Sequence, residues 1–397
     1  MAGSKTVVIG VTGGIAAYKA LDVISRLKKD GFDVHVIMTK SATEFVNPLS
    51  FQSLSQNFVI CDMFDEPKTW DIKHISLAKK ADLMLICPAT VNILGKVANG
   101  IADDMLSTTI MATKAPVIFA PAANSNMFLN PIVQDNIKKL KEYGYKFIDP
   151  DSGRLACGDE GSGKLADTET ITEIVKSELY DIKDLKGKRV LVTAGPTIAP
   201  IDPVRFITNR SSGKMGYAIA REAINRGAEV ILITGPSNEK IPFGVHCIKI
   251  NTNSEMKEEI IKLFDGIDIV IKAAAVADYK PLCYSSNKIK KKNNEFSLDL
   301  VKDTDILATL GKLKKEQILI GFAAESENLI TNASLKLNAK NLDYIVANNI
   351  KSSDTGFASD NNIVTILCND GNKFSLGKMD KKLVARELFN IIMKKKR

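Results

Sequence analysis

The sequence predicts an α/β protein built from two Rossmann-like domains. Apolar runs that are typical of strands alternate with helical segments along all 397 residues. A strand, a polar glycine-containing loop and a helix occur together twice, first over residues 7–29 and again from residue 189. Strands that are apolar on both faces indicate parallel sheets covered by helices, and a chain of this length can hold two domains of ordinary size.

The first domain is predicted to contain a parallel sheet, with a helix over residues 16–29 after its first strand. Its predicted strands are the apolar runs at residues 7–13, 33–39, 83–89 and 115–123. Each run is followed by small and polar residues. Ligands of such folds bind beyond the carboxyl ends of the strands, so these loops are the expected site.

A polar segment at residues 181–188 predicts a domain boundary, which gives domains 1–187 and 188–397. The second domain repeats the alternation of strands and helices without repeating the sequence. A hairpin is expected around residues 362–368, followed by a helix from Lys381. The other predicted strands of this domain are residues 189–195, 229–235, 267–279, 318–326 and 343–349.

Composition and charge restrict the function. Residues 1–187 carry 21 basic and 23 acidic side chains, whereas residues 188–397 carry 33 and 23. The basic second half lacks interleaved aromatic residues or a nucleic-acid module, which favours a small polyanionic ligand over nucleic acid. The six cysteines show neither paired nor zinc spacing, and no apolar run could span a membrane. With no signal peptide, a cytoplasmic enzyme is expected.

Small and polar residues follow three predicted strands of the first domain. Gly13 and Gly14 open the first helix, where backbone N–H groups can approach a phosphate, although a tight turn explains a glycine pair equally well. Ser41 follows the second strand. Together these positions favour a bound phosphate-bearing cofactor. The third strand adds Cys87, Pro88, Ala89, Thr90 and Asn92.

Three further residues of the first domain are candidates for chemistry. His74 lies at a junction between a loop and a helix, where it could transfer protons, although a lone histidine is more often structural. Asn124 follows a buried strand and could hold a carboxylate or simply cap a helix. Cys157 lies in a glycine-dense segment that could fold over a site, which favours a reactive thiol.

The second domain has candidates for binding a nucleotide. Asn209 lies in a loop whose serines and glycine could cradle a phosphate or cap a helix. Asp278 follows a strand and could hold Mg²⁺ or a ribose, or form a turn. Lys288 begins a basic run that would face a triphosphate if it is not a solvated loop. Lys336 and Lys340 share one helix face.

The first half resembles the flavin-dependent decarboxylases that act on 4′-phosphopantothenoylcysteine. The resemblance rests on the glycine turn at residues 13–19, on His74, on residues 121–127 and on the Ala-Cys-Gly-Asp motif at residues 156–159. It implies a flavodoxin-like domain that binds FMN through the glycine turn, Ser41 and the loop after the third strand. It also implies that His74 assists oxidation and decarboxylation, that Asn124 binds the departing carboxylate, and that Cys157 returns a proton.

The second half resembles the bacterial, CTP-using phosphopantothenate–cysteine ligases. The matching motifs are TAGPT, IDPVR, NRSSGKMG, AAAVADY, KIKK, GFAAE and a pair of lysines, in that order, over almost all of residues 188–397. The resemblance implies Asn209 and Lys288 as catalytic residues and Mg²⁺ as a cofactor. The residues that it implies for CTP binding are Ala273, Ala274, Asp278, Lys288, Asp303, Thr304, Asp305, Ile306, Phe322, Lys336 and Lys340.

Together the two resemblances imply a bifunctional enzyme of coenzyme A biosynthesis, which joins cysteine to 4′-phosphopantothenate with CTP and then decarboxylates the product. Ala123 and Phe128 replace the methionine and tryptophan common in the first family, and Ala199 replaces a glutamate common in the second. A peptidyl-cysteine decarboxylase and a flavin-binding regulatory protein are alternatives. The choice between CTP and ATP as the nucleotide stays open at this point. Relatives imply a trimer-based homo-oligomer, and combining trimers of the first half with dimers of the second suggests a dodecamer.

Overall fold

The computed structural model describes residues 4–64, 72–154, 160–290, 297–325, 328–349 and 361–394. The chain divides into two compact units, Met1–Leu179 and Tyr180–Arg397. The domain boundary between residues 187 and 188 falls a little beyond this division and stays a prediction.

In the described part of the first unit, one sheet is wholly parallel and has the strand order β2-β1-β3-β4-β5. This order is that of flavodoxin-like folds. A separate antiparallel hairpin is formed by β6 and β7. The strands are β1 Thr6–Val11, β2 Asp33–Met38, β3 Leu83–Ala89, β4 Val117–Pro121, β5 Lys146–Phe147, β6 Asp151–Arg154 and β7 Glu160–Lys164.

Helices cover both faces of this sheet. Alternate residues of each strand point to opposite faces, and they enter two different apolar cores, one on each face. Helix α1 buries Ala20, Val23 and Leu27 on one side and exposes charged residues on the other, as an amphipathic helix does. The helices are α1 Lys19–Lys29, α2 Lys40–Thr43, α3 Pro48–Ser55, α4 Lys73–Lys80, α5 Val91–Ala98, α6 Met105–Ala112, α7 Ser125–Phe128, α8 Pro131–Glu142 and α9 Thr168–Glu178.

The main sheet of the second unit has the order β12-β11-β8-β13-β16-β17-β18-β19. Its strands are parallel from β12 to β17, in the 3-2-1-4-5-6 order of a Rossmann fold, and β18 and β19 are antiparallel additions. The strands are β8 Arg189–Ala194, β9 Ile198–Pro200, β10 Phe206–Thr208, β11 Glu229–Thr234, β12 His246–Lys249, β13 Ile269–Lys272, β14 Tyr279–Pro281, β15 Leu300–Lys302, β16 Ile318–Glu325, β17 Tyr344–Asn349, β18 Asn361–Cys368 and β19 Lys373–Asp380.

Apolar cores lie on both faces of this sheet as well. On one face α10 packs against α14, and the other face is covered by α11, α12 and α13. The helices are α10 Lys214–Asn225, α11 Asn253–Leu263, α12 Ile306–Leu313, α13 Leu329–Ala339 and α14 Lys381–Lys394.

The predicted fold class is confirmed, and so are the hairpin of β18 with β19 and the final helix from Lys381. One predicted strand is wrong in extent, because the run at residues 267–279 is two short strands with a loop between them. In that loop Ala275 N donates to Gly195 O at 2.9 Å, so the backbone bonds to another loop instead of continuing the ladder. The helix expected from residue 16 opens as a 3₁₀ turn at Ile15–Tyr18.

Candidate functional sites

The sheet of the first unit has a reversal of strand order, and folds of this class form a crevice at the carboxyl edge beside such a reversal. The strand order reverses at β1, because the chain passes from β1 to β2 on one side and continues to β3 on the other. In open α/β sheets a ligand binds at such a reversal, between the loops that follow the two central strands. Those loops contain Gly13 and Gly14 after β1 and Thr90 after β3.

Thr12 joins the two loops that border this crevice. Its Oγ1 donates to Pro88 O at 2.7 Å and accepts from Thr90 N at 3.0 Å, and the residue is almost wholly buried. These two bonds hold the β1 loop against the β3 loop. The sequence prediction did not include Thr12, although a threonine that ends a buried strand beside two glycines could have suggested it.

Gly13 brings the loops after β1 and β2 into close contact. A Cβ atom built on Gly13 would lie 2.3 Å from Cβ of Ser41 and 2.8 Å from its backbone carbon, so only glycine fits there without movement. A Cβ on Gly14 would meet Cγ2 of Thr90 at 3.5 Å, an ordinary contact. The predicted positions Gly13, Gly14, Ser41 and Thr90 therefore adjoin one another.

The predicted cofactor residues of the β3 segment differ in what they can offer a ligand. The Cys87 thiol is fully buried in the apolar core, and burial raises its pKa to about 12. Ala89 is also buried, so both residues could contact a ligand only through the backbone. Asn92 is exposed in the first turn of α5, and Thr90 makes no side-chain hydrogen bond as the cap of that helix.

Asn124 lies directly beyond β4 and caps the short helix α7. Its Oδ1 accepts from Asn126 N at 2.9 Å. Beside it, Ala123 N donates to Gly163 O at 2.9 Å, and a Cβ on Gly163 would lie 2.4 Å from Ala123 O. The β6–β7 hairpin therefore packs on the Asn124 segment. Cys157 belongs to the connection between these strands and lies outside the described residues.

His74 lies in the first turn of α4, the helix that leads into β3. The residue is half-buried. Within the described ranges its ring makes no hydrogen bond, so both ring nitrogens can bond to a ligand. Because α4 runs back toward the start of β3, its first turn is the end of the helix nearer the carboxyl edge of the sheet.

The second unit contains a cavity of about 430 Å³ at the carboxyl edge of its sheet. The strand order reverses between β8 and β13, which is where Rossmann folds bind nucleotides. The segment Ser211–Gly216, which includes the first turn of α10, lines one wall and can present N–H groups to an anion. The predicted residues that line the cavity are Asn209, Ala273, Ala274, Asp278, Asp303, Thr304, Asp305, Phe322, Lys336 and Lys340.

Asn209 connects two walls of this cavity. Its Nδ2 donates to Ala275 O at 3.2 Å and to Val276 O at 2.8 Å. The loop before α10 is thereby fixed to the loop that follows β13. The side chain is exposed, so its Oδ1 can face a ligand while the amide nitrogen positions the loop.

Cationic side chains outnumber carboxylates in the cavity wall. The basic lining residues are Arg210, Lys214, Lys272, Lys302, Lys336, Lys340 and Lys381. Two of the three acidic lining residues already have cations: Asp303 pairs with Lys280 at 3.1 Å, and Asp305 pairs with Lys340 at 2.7 Å. Burial acts to raise the pKa of Asp305, but the bond from Lys340, the bond from Ala308 N and the charges of Lys340 and Lys272 together lower that pKa. The cavity therefore favours an anionic ligand.

Two predicted nucleotide residues do not line this cavity. Ile306 begins α12 and is buried in the apolar core, because its side chain faces the sheet. Lys288 is exposed in a loop that is fixed elsewhere: the buried carboxylate of Asp202 accepts from Ile289 N at 3.2 Å and from Arg205 N at 2.8 Å. Lys288 therefore adjoins the Asp202–Arg205 turn.

Comparison with known proteins identifies the family. Residues 1–180 match the family model described as Flavoprotein, and residues 185–395 match the DNA/pantothenate metabolism flavoprotein C-terminal domain. The chain is 47% identical to the coenzyme A biosynthesis bifunctional protein CoaBC of Bacillus subtilis (strain 168) over 395 residues, 99% of this chain and 97% of that protein. It is 46% identical to CoaBC of Borreliella burgdorferi over 392 residues, 98% and 99% of the two chains.

The chain belongs to the CoaBC family. A crystal structure of the C-terminal domain of a CoaBC protein is 44% identical, with a TM-score of 0.46, and covers 53% of this chain and 96% of its own. The protein is a bifunctional enzyme of coenzyme A biosynthesis, with a flavoprotein decarboxylase half and a ligase half.

Several lining residues were not predicted as part of the CoaBC ligase site. Lys272 ends β13, and Asn348, Asn362 and Lys381 line the cavity from β17, β18 and α14. Only Lys272 carried a signal in the sequence, because it is a charged residue inside an apolar strand run. The other three lie far apart in the chain and meet only because β17, β18 and α14 pack together.

Two features of the described residues concern membrane and metal binding. None of the helices there combines the length and apolar character that crossing a membrane requires. The same residues contain no group of three or more His, Cys, Asp or Glu side chains arranged to hold a metal ion.

Proposed function

We propose that the two halves catalyse consecutive steps of coenzyme A biosynthesis. Residues 188–397 would join cysteine to 4′-phosphopantothenate with CTP, and residues 1–187 would decarboxylate 4′-phosphopantothenoylcysteine to 4′-phosphopantetheine with FMN. One observation carries the ligase assignment: ten of the residues expected to contact nucleotide or acyl group line a single cation-rich cavity at the strand-order reversal.

The ligase reaction requires activation of a carboxylate, which is by itself a poor electrophile. Transfer of CMP from CTP to the carboxylate of 4′-phosphopantothenate forms an acyl cytidylate and releases pyrophosphate. Lys336 and Lys340 would offset the negative charge of the phosphates, and Asp278 would share a Mg²⁺ ion with phosphate oxygens. Asn209, held by its bonds to the loop after β13, would orient the acyl group.

Attack by the cysteine amine on the acyl cytidylate completes the ligation and releases CMP. Lys288 would assist this step. Its loop is exposed, and Asp202 fixes it beside Arg205 through backbone bonds. A lysine on such a loop can reach toward a bound intermediate while the loop itself stays anchored.

The crevice of the first unit suits FMN. Ser41, Thr90 and Asn92 offer hydroxyl and amide groups at adjoining strand ends, and Gly13 and Gly14 let the backbone approach a phosphate. Cys87, Pro88 and Ala89 would contribute through their backbone. FMN, when bound, would supply the two-electron oxidation of the substrate thiol that makes loss of CO₂ possible.

The remaining residues of the first unit would act on the substrate itself. Asn124 would bind the carboxylate that leaves, since an amide donates a hydrogen bond without adding a competing charge. His74 would transfer protons in oxidation and decarboxylation. Cys157, carried by the connection of the β6–β7 hairpin, would return a proton to the product.

The substrates would be 4′-phosphopantothenate, cysteine, CTP and 4′-phosphopantothenoylcysteine. A trimer-based homo-oligomer and a cytoplasmic location stay predictions. None of the five cysteines in the described ranges forms a disulfide, in keeping with a reducing compartment.

Two measurements on the purified full-length protein test the proposal. The protein should show visible flavin absorption, and heating should release FMN that mass spectrometry identifies. With CTP, cysteine and 4′-phosphopantothenate it should form CMP and pyrophosphate, and ATP in place of CTP should support much slower turnover. A colourless protein that cannot bind added FMN would overturn the decarboxylase assignment, and absence of cysteine-dependent CMP release would overturn the ligase assignment.

A further inference from the structure

A buried lysine lies at the centre of the ligase sheet, and the steps above do not use it. Lys272 is the last residue of β13, where it pairs with Thr193 of β8 and Gly321 of β16. Only 9% of the residue is exposed, and it lines the cavity beside the strand-order reversal. Its two strand neighbours carry no charge, so the nearby charges come from other elements.

The charged groups around Lys272 leave its ammonium without a close counter-ion. Asp305 at the start of α12 is bonded to Lys340 at 2.7 Å, so much of its charge is already offset. Asp278 beyond β13 is exposed to solvent, and Lys336 and Lys340 add positive charge from the α13 side. Within the described ranges no carboxylate oxygen lies within 4.0 Å of the Lys272 amine.

Such a cation is unfavourable while the cavity holds no ligand. Burial and, to a smaller extent, the positive charge of Lys340 lower the pKa of Lys272 to about 8, because Asp305 and Asp278 oppose the shift only in part. A ligand that brings negative charge into the cavity would offset this cost. Strongly shifted buried amines that line a cleft are typical of functional sites.

We propose that Lys272 is an anion-binding residue of the ligase cavity, whose ammonium contacts the phosphate chain of the bound nucleotide. The inference rests on the proposed function, because it takes the ligand to be a nucleoside triphosphate. It adds a cation from the sheet itself to those that α13 supplies. Because contact with phosphate favours the charged amine, nucleotide binding above pH 8 takes up a proton at this residue.

Calorimetric titration of the flavin-loaded full-length protein with CTP tests the proposal. At pH 8.5, titration in two buffers of different ionisation enthalpy measures the protons taken up on binding. We expect the wild-type protein to take up about 0.7 proton per site, since a group with a pKa near 8 is mostly neutral there. Lys272→Gln should bind CTP about tenfold or more weakly, without that uptake.

Two further variants make the result specific. Arginine at position 272 stays charged at every pH used, so Lys272→Arg should bind CTP with little loss of affinity and no proton uptake. If Lys272→Gln fails to fold, the proton uptake of Lys272→Arg alone tests the role of Lys272. Lys312→Gln removes an exposed charge of α12 outside the cavity and should behave like the wild-type protein.

The outcomes separate this proposal from the one on which it rests. Wild-type affinity and proton uptake in Lys272→Gln, or undiminished uptake in Lys272→Arg, would overturn the role of Lys272 alone. A wild-type protein that binds no CTP at pH 7 or 8.5 would overturn the nucleotide assignment of the cavity, and the role of Lys272 with it.

Discussion

At the scale of the residue, the buried Lys272 should make the ligand-free ligase half less stable than it could be. Its pKa is about 8 in the folded protein and 10.5 in the reference state, so the unfolded chain binds this proton more tightly. Below pH 8 the full cost is present and amounts to about 3 kcal/mol. As pH rises from 8 toward 10.5 the cost disappears. Lys272→Met should therefore stabilise the ligand-free protein at pH 7.

This gain in stability can be measured in the full-length chain. Proteolysis over a series of urea concentrations, read by mass spectrometry of peptides from β8 and β13, reports unfolding of the second unit. The difference between Lys272→Met and wild type at pH 9.5 should be less than half of that at pH 7. Lys312→Met, on the exposed side of α12, should change the free energy of unfolding by about 0.5 kcal/mol or less at either pH. An equal gain at both pH values would contradict the assignment.

Some residues of the sites could be predicted from the sequence because a local pattern places them. Polar residues directly after apolar runs lie near strand ends, as Ser41 does after β2 and Thr90 after β3. Where a loop becomes a helix, the local sequence does not indicate the direction in which a side chain points. Ile306 follows Asp305 in a predicted site motif, yet one side chain enters the core and the other lines the cavity.

At the scale of the element, the close packing of the β1 loop on α2 should make Gly13 indispensable for flavin binding. In Gly13→Ala the new Cβ would lie 2.3 Å from Cβ of Ser41 and 2.8 Å from its backbone carbon, so one of the two loops must move. Both loops border the proposed FMN site. The flavin bound per chain after purification, read from visible absorption, should fall to a small fraction of the wild-type value.

A matched substitution in the same unit distinguishes this effect from general damage. Gly95 lies inside α5, where the nearest atom to an added Cβ is Nδ2 of Asn136 at 3.9 Å. Gly95→Ala should retain flavin and stabilise the helix by about 1 kcal/mol, since glycine is a poor helix former. Wild-type flavin content in Gly13→Ala would show that these loops do not hold the cofactor.

The strands and helices themselves could largely be predicted. The strands are apolar runs because both faces of each sheet are buried, and the helices repeat apolar residues on the side that covers the sheet. The run from Ile267 to Tyr279 was the exception, since most of it is apolar and yet its first strand ends at Lys272. Its alanines bond to residues at the end of β8, about 80 positions earlier in the chain, as in the bond from Ala274 N to Thr193 Oγ1 at 3.2 Å. A local pattern cannot show a partner at that distance.

At the scale of the whole molecule, the number of units and their α/β class could be predicted, but the strand orders could not. Alternation of strands and helices is compatible with several orders of a parallel sheet. The reversal beside β1 in one unit and between β8 and β13 in the other depends on the side of the first strand to which each later crossover carries the chain. In the proposed function each unit binds its ligand at its own reversal, which is built from its own strands.

Two units with separate cores and separate crevices should lose their activities independently. His74→Asn should leave CTP-dependent ligation within about twofold of wild type and reduce CO₂ release from added 4′-phosphopantothenoylcysteine by about 100-fold or more, because a proton-transfer residue is lost. Lys288→Gln should do the reverse and accumulate the acyl cytidylate. Supplying the intermediate directly lets each step be measured alone, while flavin content and circular dichroism check the fold. Loss of both activities in a folded, flavin-loaded variant would contradict a division of labour between the units.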